Sequence, residues 1–157
     1  DLPLVEHVAR RLQDETSRPL SLSDSYESVA SKDMVLVLLG LCHKVLRPHL
    51  KYEQLLGFCL PMASLAPQMG ENSPCVLLPV RFCAVLKAWV SEIPREAVEP
   101  TLRLLGGFMA AGCPKAVRLA ALGPLRAMLD GFSDHEGWAA VHDGLIEASF
   151  ELLRLLR

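Results

Sequence analysis

Cys113-Pro-Lys-Ala-Val-Arg-Leu-Ala-Ala-Leu-Gly-Pro-Leu-Arg-Ala-Met-Leu129 joins a proline to an alanine-rich run whose apolar residues recur three and four positions apart. That recurrence is the period of an α-helix with one buried face, and a proline at the start removes an N–H that the helix would not have used. The stretch has a counterpart. Val117-Arg-Leu-Ala-Ala-Leu122 repeats the pattern of Val80-Arg-Phe-Cys-Ala-Val85, which stands 37 residues earlier: valine, arginine, apolar, small, alanine, apolar. Two helices and two turns occupy that length, so the repeating unit is a helical hairpin and the matched residues open its second helix. In this reading Val117 fills the seam of the hairpin, Arg118 faces outward toward a neighbouring unit, and the alanines let backbones approach.

The rest of the chain carries the same rhythm. Seven helical segments are predicted, roughly 3–14, 33–48, 51–67, 75–93, 95–112, 115–130 and 135–156, with short connections that force neighbours into antiparallel hairpins. Pro3, Pro94 and Pro114 stand at or near helix starts, and Gly112 is placed to close a helix in the left-handed conformation. Ser133 or Asp134 is placed to cap the last helix. Pro61 and Pro124 fall inside helical patterns and predict kinks, whereas Pro79 and Pro100 predict a kink or a later start. Thr16–Ser31 reads as a flexible, serine-rich acidic loop in which Ser21, Ser23, Ser25 and Ser28 are candidate phosphorylation sites.

The matched residues resemble the HEAT repeat family, whose second helix commonly begins Pro-x-x-Val-Arg and continues as an alanine-rich apolar stripe. The resemblance is clearest over 95–130 and extends to 51–93. It implies an all-α fold of stacked antiparallel hairpins, a short HEAT-like α-solenoid of about seven helices forming one domain over 1–157. Because the chain opens on Asp1 and closes inside a helical pattern, a piece of a larger protein is expected.

Composition narrows the function classes. A formal charge of -2 gives no overall signal for nucleic acid or anionic membrane, no apolar run reaches the roughly 18 residues of a membrane span, and no secretory leader is recognisable. The five cysteines lack paired spacing, as expected for reduced thiols inside a cytoplasmic or nuclear protein. No nucleophile with a base, no phosphate cradle and no metal set has persuasive spacing, so no enzyme activity, cofactor or metal is expected. Cys42 and His43 are neighbours that diverge on a helix, His135 and His142 make a marginal pair, and Gly106-Gly107 reads as close helix packing. Trp89 and Trp138 read as core or seam residues.

What remains is the placement of charge. Lys44, Arg47, Arg81, Lys87, Arg118 and Arg126, with Lys115, lie on the second helices, where Asp33, Glu92 and Asp130 stand only near the ends, and the other helices are mixed or acidic. In HEAT-like stacks the second helices line the concave face, so the resemblance implies a basic groove. The resulting expectation is a non-catalytic scaffold that holds an acidic segment of a protein partner, within a multi-subunit complex, and takes no small-molecule substrate. Two alternatives use the same residues differently: a nucleic-acid-binding repeat module, or a compact helical bundle that forms a subunit interface.

Overall fold

The computed structural model describes residues 2–16, 18, 20–139 and 142–155, and all the regular structure in them is helical. The α-helices are α1 (Leu2–Thr16), α2 (Tyr26–Leu41), α3 (His43–Leu46), α4 (Tyr52–Leu65), α5 (Leu77–Trp89), α6 (Val98–Met109), α7 (Lys115–Gly131) and α8 (His142–Leu155). Single 3₁₀ turns follow α4 and α5 and precede α5, α6 and α8.

These helices form two rows. One row is α2, α5 and α7, with α5 in the middle, and the other is α1, α4, α6 and α8 in that order. Sequence neighbours join the rows as α1 with α2, α4 with α5 and α6 with α7. Within the first row the contacts climb together: Arg81 meets Asp33, Val85 lies 3.6 Å from where a Cβ on Gly40 would stand, and Arg47 meets Glu92. Lys87 lies alongside Gly123 and Val90 alongside Gly131. The helices α2, α5 and α7 therefore run parallel.

The core fills the space between the rows. Phe82 of α5 and Phe108 of α6 meet edge to face with centroids 6.2 Å apart, a geometry favoured by the ring quadrupoles. Trp89 is buried as the sequence suggested, and its indole N–H donates to the Leu39 carbonyl at 2.9 Å. In the other row the Tyr52 hydroxyl meets Thr101 Oγ1 at 2.7 Å, and Thr101 itself donates to the Ala97 carbonyl. Burial pushes the Tyr52 phenol upward despite that hydrogen bond to Thr101, so it stays protonated.

Several boundaries differ from the sequence reading. Ser25 caps α2 by accepting a hydrogen bond from the Ser28 N–H, so residues 26–31 of the expected loop are the first turns of a helix. The first turns of α5 and α6 absorb Pro79 and Pro100, the later starts that the prolines allow. The last helix begins at His142; Asp134, instead of capping it, pairs with Arg95 at 2.9 Å. Gly112 is not left-handed; it lies against Pro67, with 3.5 Å available to a Cβ. Gly106 and Gly107 face open space, so they mark no close helix crossing. With its flanking 3₁₀ turns, α5 forms an apolar stretch, Pro74–Glu92, of 19 residues with mean hydropathy 1.5, longer than the sequence reading allowed. More than half of it is buried between its neighbours, as the central helix of a row requires.

Candidate functional site

Three parallel helices carry one recurring pattern, apolar or small residues followed by a cation. On α5, Leu77, Val80, Ala84 and Lys87 follow one another at intervals of three, four and three residues, which keeps them on one face. On α7 the corresponding residues are Ala116, Leu119, Gly123 and Arg126, and on α2 with its continuation α3 they are Met34, Val37, Leu41 and Lys44. Each series starts apolar and ends on a cation. All twelve residues are exposed or half-buried.

The apolar starts border a common groove of about 620 Å³ between α2 and α5, lined by Tyr26, Met34, Val37, Leu77, Val80 and Ala116 among others. Tyr26 is 77% exposed and Met34 59%, so the groove leaves large apolar side chains uncovered. A second apolar groove of about 400 Å³ lies between α7 and α8, where Leu129, Trp138, Ile146 and Phe150 meet.

The six basic residues expected to act together are divided by the structure. Lys44, Lys87 and Arg126 are exposed, as is Lys115, and none has an ion-pair partner among the described residues. Arg47 is held by Glu92 at 2.9 Å, and Arg81 by Asp33 through Nε at 2.9 Å. Arg118 departs furthest from expectation. It is 3% exposed, and its Nε donates to the carbonyl of Met109, the last residue of α6, at 3.1 Å. A helix leaves its final carbonyls without internal partners, and a guanidinium there satisfies one of them while opposing the negative end of the dipole. Arg118 therefore closes α6 and does not reach solvent.

The candidate phosphorylation sites also separate. Ser21 and Ser23 are exposed, their hydroxyls 2.9 Å apart; Ser25 is exposed as the cap of α2. Ser28 is half-buried, donating to Asp24 at 3.3 Å and accepting from Lys32 Nζ at 3.4 Å. Lys32 belongs to a buried cluster that no local sequence signal announced. Its Nζ lies 3.3 Å from Glu15 Oε2, with side chains 3% and 2% exposed, and the Ser31 hydroxyl donates to Glu15 at 2.6 Å. Burial pushes the Glu15 carboxyl up, but the hydrogen bonds from Ser31 and Lys32 and the lysine charge outweigh it, leaving the group below its ordinary 4.5.

Three of the thiols are poorly placed for nucleophilic chemistry. All five cysteines are unpaired, and all but Cys42 are buried. Burial pushes Cys83 up to about 12, Cys59 well above its ordinary range, and Cys113 upward against the opposing charge of Arg118. A nucleophilic cysteine needs the opposite shift. His43 turns its Nδ1 to the Gly40 carbonyl at 3.1 Å, and His135 meets the Arg95 carbonyl at 2.9 Å. Among the described residues no three histidine, cysteine, aspartate or glutamate side chains gather as a metal site would require. No family model, no curated protein and no solved structure matches the chain.

Proposed function

We propose that this chain is a HEAT-like helical-repeat scaffold, a short α-solenoid without catalytic activity, whose α2, α5 and α7 hold a protein partner within a larger assembly. The observation that carries the reading is the recurrence of one exposed series, apolar then cationic, on three helices that run parallel in a single row. A repeated unit that stacks on its neighbours generates such an extended face as a by-product of its geometry. The apolar groove between α2 and α5 supports the same use, since it leaves Tyr26, Met34 and Leu77 uncovered.

The reading is tested with a photo-crosslinking amino acid placed at Ala84 or Leu119, exposed on this face, and at Leu60 or Glu53, exposed on α4 in the other row. The expected result is a reproducible protein adduct from the first two positions and none from the others. Equal labelling at all four, or none anywhere, would end the proposal.

A further inference from the structure

The geometry points to an extended acidic peptide segment as the occupant of the α2, α5 and α7 face, laid across the helices with successive carboxylates on Lys44, Lys87 and Arg126. This rests on the protein-binding reading above and specifies its partner.

Two acids of the row are taken up internally, while Glu27 and Asp130 stay exposed with no ion pair among the described residues. Asp33 is taken by Arg81, Glu92 by Arg47, and the Glu71 carboxylate accepts from the Lys115 backbone N–H at 3.1 and 3.2 Å. Lys44, Lys87 and Arg126 remain, each ten residues after the first member of its exposed series. The register contacts place them at one level. Arg47 meets Glu92 while Val85 lies beside Gly40, which sets Lys44 within about a turn of Lys87, and the Lys87 stem runs 3.8 Å from a Cβ on Gly123, one turn before Arg126.

Spacing selects the form of the segment. Helices packed side by side lie about 8–10 Å apart, and an extended segment in the polyproline II conformation advances about 3.1 Å per residue with about three residues per turn, so every third side chain lies on one side and meets the next cation. A carboxylate at every third position matches the ladder, whereas three consecutive carboxylates reach one rung. Nucleic acid is disfavoured because the same row exposes Met34, Leu41, Leu77 and Leu119, a surface that gives phosphates nothing.

The test is an NMR titration of the full chain with two acetylated, amidated peptides of one composition, Glu-Ser-Thr-Glu-Ser-Thr-Glu and Glu-Glu-Glu-Ser-Thr-Ser-Thr. The spaced peptide is expected to bind about tenfold more tightly, with shifts confined to the ends of α3, α5 and α7. Lys87→Ala combined with Arg126→Ala removes that difference, and Arg47→Ala leaves it intact. Equal affinity for the two peptides, or tighter binding of a fifteen-nucleotide thymidine oligomer at the same residues, overturns the assignment. Should Ala84 and Leu119 still crosslink a protein when the spaced peptide shows no advantage, the ladder is refuted while the binding face stands; loss of the crosslinks refutes both.

Discussion

At one end of the molecule α1 is fixed to α2 through charge, whereas in the middle α5 is fixed to α6 and α7 through shape. The first junction buries Glu15 and Lys32, with Ser31, Asp24 and Ser28 half-buried around them. In the second, Phe82 and Phe108 interlock above Leu78, Leu86, Leu102 and Leu105, all fully buried. The difference teaches how unevenly one architecture can be held. An apolar seam loses energy in proportion to the atoms removed, but a buried ion pair depends on both partners being present.

Phe82→Ala should cost about 3–5 kcal/mol, the ordinary result of emptying a packed core position, and chemical denaturation should show it as a lower midpoint. At the charged junction, Lys32→Met should cost about 3 kcal/mol because it strands a buried carboxylate, and adding Glu15→Leu should recover most of the loss. No such rescue is available at Phe82. Acid sharpens the contrast further. Since the folded Glu15 sits below its ordinary 4.5, its contribution is complete above that value and disappears as pH falls through the folded value. Acid titration of stability should therefore show a loss below pH 4.5 that Glu15→Leu combined with Lys32→Met lacks, and an unchanged acid limb in the double variant would contradict this role for the pair.

The sequence reading captured the all-helical class, the later starts allowed by Pro79 and Pro100, and Trp89 as a core residue, but it expected about seven helices, with a single one over 33–48 where α2 and α3 divide at Cys42. It missed what depends on register. The valine and arginine motif recurs after 37 residues, yet the exposed series shared by α5 and α7 recurs after 39, with Leu77 matching Ala116 and Lys87 matching Arg126. Two positions are about 200° on a helix, enough to leave Arg81 half-exposed on Asp33 while Arg118 turns inward to Met109. Placing the start of α2 at 33 instead of Tyr26 had a similar effect. A serine-rich run suits a helix cap as well as a loop, and without residues 26–31 the groove loses Tyr26 and Val29. The Glu15 and Lys32 pair spans 17 residues and two helices, so no local pattern could signal it.

These cases share one theme: the fold divides its cations between holding the helices together and facing a partner. The most direct test of that division compares the denaturation midpoints of Arg118→Met and Arg126→Met in one buffer. Arg118→Met, which deprives a buried carbonyl of its charged donor, should lose about 1–3 kcal/mol, and Arg126→Met should change stability by no more than about 0.5 kcal/mol. Equal midpoints would contradict this division, because Arg118 would then be as dispensable to the fold as a cation on the surface.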